Sequence, residues 1–258
     1  MKKGIAALTL LWAGLGACAS SEGTAPHDMS AAEHDKMAAA EEVLANEHAA
    51  EYDPNAVRQR PICSSVLARK SGDSSDVCWG SITNPTETHQ VSAADRRRLA
   101  AEHRAASQAL RDAEARSCAG LGEDERDTSP FAHVGDISSV APLRPAIQGG
   151  REQQRFPERF PAAKGGGAVV TFVAVPGMTA EWLQRVVDCH LARNAAVGHI
   201  DPTMPDCPLV PNGVTAEVKS TGNGFAVEMR SQDPAVAQEI LRRARLLIQS
   251  PDPRANGL

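Results

Sequence analysis

The sequence predicts an α+β protein in which an alanine-rich helical region precedes a small βαββα domain. Three observations predict it. Residues 31–52 and 92–118 combine high alanine content with apolar positions at three- and four-residue steps, the period of a helix. At residue 168 the period changes, and A-V-V-T-F-V-A-V reads as a buried strand. Farther on, Asn223-Gly224 between two strand-like runs is a hairpin signal.

Bulk composition narrows the class. The chain has 258 residues, enough for one large domain or two small ones with real cores. Aromatic residues make up only 3%, so the interior must be built from Ala, Val and Leu packed closely. A net charge of −5 argues against a nucleic-acid partner. Residues 19–54 hold nine acids and one lysine, a net of −8, which leaves the remainder near neutral.

Residues 1–18 read as an export signal. Lys2 and Lys3 precede an apolar run, Gly4 to Leu15, too short to span a bilayer as a stable helix. The residues Leu15-Gly16-Ala17-Cys18 resemble the lipobox of bacterial lipoproteins. That resemblance implies cleavage before Cys18, acylation of Cys18 and a body held to a membrane through that lipid. Ala19 and Ser20 follow the cysteine where an aspartate would favour the inner membrane. The sorting pattern therefore implies a periplasm-facing outer-membrane lipoprotein, with the inner membrane and the cell surface as alternatives. The run W-L-Q-R-V-V-D-C-H-L-A-R-N, Trp182 to Asn194, is similar to one in uncharacterised bacterial envelope lipoproteins and implies no particular activity.

The acidic arm, 19–54, contains a capping box at Ser30 and Glu33 and predicts one helix to Tyr52, stopped by Asp53-Pro54. His34, Met37, Glu41, Leu44 and His48 recur along it as a stripe, and His27 and Met29 precede it. His27, Met29, His34 and Met37 form a candidate copper-collecting arm, since imidazole and thioether suit copper. His34 and His48 lie about 21 Å apart along a helix and cannot share an ion. The simpler reading is a helix that spaces the body from the membrane.

The region 55–143 reads as helical and disulfide-containing. Residues 55–91 look loop-rich, with Ser71 to Asp76 separating Cys63 from Cys78. Ser92 and Asp95 then open a helix to about 118, whose stripe is Leu99, His103, Ala106, Leu110 and Ala113. Such small residues permit a close antiparallel pairing with helix 31–52, burying His103 in the seam. Arg96, Arg97, Arg98, Arg104 and Arg111 are left to pair with the acidic arm. The run Glu123-Asp124-Glu125 lacks the alternating ligands and glycine of a calcium loop.

Residues 144–167 have a basic, Gly/Pro-rich linker composition, with Phe156 and Phe160 among arginines that could touch lipid headgroups or a partner. The C-terminal domain, 168–250, continues with a helix from Thr179 to Val197, strands at Val214–Ser220 and Gly224–Arg230, and a last helix begun by Asp233-Pro234. A tail, 251–258, follows. This order predicts a split βαβ, ferredoxin-like sheet covered on one face by two helices.

Five cysteines remain for the body, and in an oxidising compartment they should mostly pair. Sequence proximity favours Cys63 with Cys78 and Cys189 with Cys207, leaving Cys118. A competing reading makes His190, His199, Met204 and Cys207 a soft-metal site for copper or zinc. The two compete because a disulfide sulfur is not a thiolate ligand. His190 by itself reads more simply as a hydrogen-bonded core histidine.

There is no G-x-S-x-G, H-E-x-x-H, Walker loop, dinucleotide fingerprint or C-x-x-C pair, so an enzyme is not expected. The expected function is that of a lipid-anchored envelope lipoprotein with a structural or protein-interaction role, meeting an envelope protein partner. The alternative is a periplasmic copper- or zinc-binding accessory protein involved in metal handling or resistance.

Overall fold

The computed structural model describes residues 21–67, 74–143 and 165–249. The expected signal segment with Cys18, the linker from 144 to 164 and the tail lie outside them. The described chain is α+β, as the periodicities predict.

The first element, α1 (Ala31–Glu51), starts where Ser30 and Glu33 close a reciprocal capping box: Ser30 Oγ accepts from the Glu33 amide and Glu33 accepts from the Ser30 amide. A two-stranded ribbon follows, β1 (Arg58–Leu67) and β2 (Ser74–Thr83), paired antiparallel with Cys63 directly opposite Cys78. Residues expected as loop are thus two ten-residue strands, and a disulfide joins Cys63 to Cys78, the pairing that proximity favours. A lone ribbon has little core of its own, so the bridge substitutes for missing packing.

The second long helix, α2, runs over Glu87–Ser117, five residues earlier than Ser92 suggested. Thr86 is fixed just before it by bonds to Asn84 and to the backbone of Asp53, which brings the first turn of α2 against the last turn of α1. The helices run antiparallel and alternate small and polar layers. Ala31, Ala38 and Ala45 of α1 are buried, as are Ala93, Ala100 and Ser107 of α2. The stripe is rotated from the one expected: Met37 and Leu44 are exposed, and Leu99 and Ala113 are half-buried. Packing follows the residues that let two backbones approach, not the most apolar ones.

A short helix, α3 (Glu123–Asp127), leads to an edge strand, β3 (Ile137–Leu143), that the polar run I-S-S-V-A-P-L concealed. Then come β4 (Gly166–Val173), α4 (Ala180–Ala196), β5 (Thr215–Thr221), β6 (Gly224–Ser231) and α5 (Pro234–Gln249). The sheet order is β3-β4-β6-β5, antiparallel throughout. The crossover β4-α4-β5 therefore encloses β6, which is a split βαβ unit. In a ferredoxin-like order a strand after the last helix would flank β4; here β3, from ahead of the unit, takes that place. Gly166 and Gly167, expected in the linker, belong to β4. Gly167 has φ +150°, and a Cβ there would lie 2.0 Å from the Met229 carbonyl oxygen, so only glycine permits this pairing with β6.

One core unites the sheet with both helices: Ala168, Val170, Phe172, Val227 and Met229 pack with Leu183 and Val187 of α4 and with Ile240 and Ala244 of α5. The helical pair is fastened to this domain through α4. There Cys118, Leu121, Val186 and Cys189 form a second cluster, and Cys118 and Cys189 are disulfide-bonded.

That bridge corrects the expected pairing of Cys189 with Cys207. Cys207 is a buried free thiol, and burial raises its pKa. The proline-rich loop does fold back on α4, yet hydrogen bonds and apolar burial hold it. Asn194 Nδ2 donates to the Leu209 carbonyl at 3.1 Å, His199 Nδ1 contacts the Val210 carbonyl at 2.9 Å, and Leu209 is fully buried. Sequence proximity failed because α2 delivers Cys118, 71 residues away, to the face of α4 that Cys189 occupies.

Candidate functional site

The α1–α2 seam carries three polar layers at seven-residue spacing. His34 faces His103, Glu41 faces Arg96, and His48 faces His89, so each step of seven along α1 is matched by a step of seven back along α2. Alanine layers separate them. In an antiparallel helix pair this heptad repeat keeps the same seam facing inward along its whole length.

The inner layer is buried. His34 Nδ1 and His103 Nδ1 are 3.0 Å apart, His34 is fully buried and His103 nearly so. One ring donates and the other accepts. Burial, and secondarily the neighbouring His34, lowers the His103 pKa and keeps that ring neutral. The middle layer is an ion pair: Arg96 Nη1 donates to both Glu41 oxygens, at 3.1 and 2.9 Å. Arg104 with Glu42 and Arg111 with Asp35 add exposed pairs along the rim. These are among the arginine contacts expected with the acidic arm.

The outer layer is open to water and has a third member. His48 Nδ1 and His89 Nδ1 are 3.3 Å apart, and Glu51 Oε2 lies 2.7 Å from His89 Nδ1 and 3.8 Å from His48 Nδ1. The two histidine side chains are about one-third exposed and Glu51 is 59% exposed. These three donor atoms lie within 4.8 Å of one another, the only such group of His, Cys, Asp and Glu among the described residues. They could hold a metal ion.

The histidines and methionines singled out from sequence are placed differently. His34 is sealed in the seam, while Met37 faces solvent and His27 is exposed ahead of α1, with Met29 half-buried. His190 is fully buried and its Nε2 meets the Glu125 carbonyl at 3.1 Å, the position of a core histidine. His199 uses Nδ1 at the Val210 carbonyl, and Met204 is buried beside the Cys207 loop. Burial lowers the pKa of both His190 and His199. Cys189, being bridged to Cys118, is no ligand.

Sequence reasoning missed His89 and Glu51 as partners of His48. His89 falls in a stretch read as loop. A signal was nonetheless present: His89 precedes His103 by the same fourteen residues that separate His34 from His48.

A second feature is the β1–β2 ribbon, which packs extensively on no other element among the described residues. It exposes Ile62, Trp79 and Ile82. Ile62 and Trp79 are cross-strand partners, and two-residue alternation puts Arg58 and Arg60 on their face. Neither arginine has an acidic partner among the described residues. A shallow groove runs along Arg58, Arg60, Ile62, Ser81 and Thr83.

Among the described residues no helix is long and apolar enough to cross a membrane. Compared with known protein families, curated proteins and solved structures, the chain matches none.

Proposed function

We propose that this protein is a lipid-anchored envelope lipoprotein with a structural, protein-binding role, and that the β1–β2 ribbon is its contact surface. One observation carries the reading. Among the described residues, a disulfide-clamped ribbon that packs extensively on no other element presents Trp79 and Ile62 beside two arginines without acidic partners. Aromatic and arginine side chains are the residue types that dominate binding energy at protein interfaces. An exposed Trp confers nothing on the monomer's own core. Charge complementarity selects a partner whose apolar pocket has an acidic rim.

The address rests on two supports. The residues Leu15-Gly16-Ala17-Cys18 resemble a lipobox, and the body's disulfides suit an oxidising compartment outside the cytoplasm. The alanine seam and the Cys118–Cys189 bridge make a stiff base from which a ribbon can be presented.

Photo-crosslinking in intact cells tests it, with the crosslinker at Ile62. The expected result is one discrete protein adduct, abolished by Arg58→Glu with Arg60→Glu. A lipid adduct, or adducts indifferent to both arginines, would refute the protein-binding role. Acyl labelling that persists after Cys18→Ala would refute the anchor.

A further inference from the structure

We propose a transition-metal site of the zinc class formed by His48 Nδ1, His89 Nδ1 and a Glu51 carboxylate oxygen, independent of whether the ribbon binds a partner. The three separations, 3.3, 2.7 and 3.8 Å, form a compact triangle. All three corners lie about 1.9 Å from one centre, so an ion about 0.7 Å off that plane sits about 2.05 Å from each donor, the bond length of zinc to imidazole and carboxylate. That offset is the one a tetrahedral ion has from any three of its ligands.

A hydrogen bond joins two of these atoms at a time, the closest pair being His89 Nδ1 and Glu51 Oε2 at 2.7 Å. A single divalent ion engages all three lone pairs at once. The inner pair differs in this respect: His34 and His103 are enclosed, Glu41 of the next layer is held by Arg96, and no Cys, Asp, Glu or further His completes a group of three with them among the described residues.

The donor set selects the ion. Calcium takes six to eight oxygens and magnesium an octahedron of oxygens, so two imidazoles disfavour both. Copper(I) favours sulfur, and no sulfur is in the set. Two imidazoles and a carboxylate suit zinc, and the partial exposure of all three side chains leaves room for water at the fourth position.

Location gives the site a consequence. His48 and Glu51 end α1, His89 begins α2, and between them the chain leaves for the β1–β2 ribbon. Asp53 and Thr86 already bond across this neck, with the Asp53 amide donating to Thr86 Oγ1 at 3.0 Å. An ion here staples the base of the ribbon.

Zinc titration of the untagged full chain in detergent, against a chromophoric chelator, tests the site. The expected result is one equivalent bound with a Kd of about 10 µM or tighter. His89→Ala should weaken it at least about a hundredfold, and Glu51→Gln, an exposed change whose circular dichroism should match that of the unsubstituted chain, about tenfold. His27→Ala and His199→Ala should leave it unchanged, and X-ray absorption should find two imidazole nitrogens at about 2.0 Å. Weaker binding in the unsubstituted chain, binding indifferent to both His89→Ala and Glu51→Gln, or binding lost with His27→Ala or His199→Ala would each overturn the proposal.

Discussion

Replacing Cys118 and Cys189 together by alanine removes the covalent joint between the helical pair and the sheet domain. The bridge closes a loop with a sequence separation of 71, for which the chain-entropy relation gives about 4 kcal/mol. For a domain of this size that corresponds to a fall in Tm of about 8–16 °C. Trp182 packs against the bridged cluster, so its fluorescence in urea, measured with Trp12 and Trp79 both replaced by Phe, reports this joint directly. The control is Cys63→Ala with Cys78→Ala. That bridge has a separation of only 15, and its ribbon packs extensively on no other element among the described residues, so the Trp182 transition should move by less than about 1 kcal/mol. Two results would refute this reasoning: a loss below about 1 kcal/mol in the Cys118/Cys189 variant, or a non-reduced peptide map that links Cys189 to Cys207.

Other consequences follow from burial and titration. Native chain should show no rapidly reacting body thiol, and denatured chain should show one, Cys207; two or more would contradict the bridges. The folded-state pKa values of His103, His190 and His199 lie below the unfolded value of about 6.5, so the unfolded chain binds protons more readily. Stability is therefore full above about pH 6.5 and falls with pH below it, and urea midpoints at pH 7.5 and 5 should show this. His103→Gln should flatten that fall. In the seam Ala100 is 1% exposed, and Ala100→Leu should cost about 1–3 kcal/mol by forcing the helices apart, read as a lower urea midpoint. Gly167→Ala should destabilise the sheet domain more than any nearby surface change, because its Cβ would strike the Met229 carbonyl in the β4–β6 ladder.

Local chemistry made much of the fold legible in the chain itself. The capping box at Ser30 and Glu33, the alanine-rich helices α1 and α2, the buried run of β4 and the Asn223-Gly224 turn act through neighbouring residues, so their periods and spacings reveal them. Cys63 and Cys78 belong to the same group, since they sit opposite each other in one hairpin. The strands β1, β2 and β3 were hidden because serine, proline and charged residues dilute an alternation that one-sided burial never enforces at a ribbon or sheet edge.

Tertiary structure alone decided which distant groups meet. Cys118 reaches Cys189 because α2 packs on α4, and His89 reaches His48 and Glu51 because two helices run antiparallel in one heptad register. A sequence records which donors exist and how they are spaced along one helix face. The phase between two helices, and hence which donor atoms come together, is set by how closely their alanine layers pack, a property of neither helix by itself.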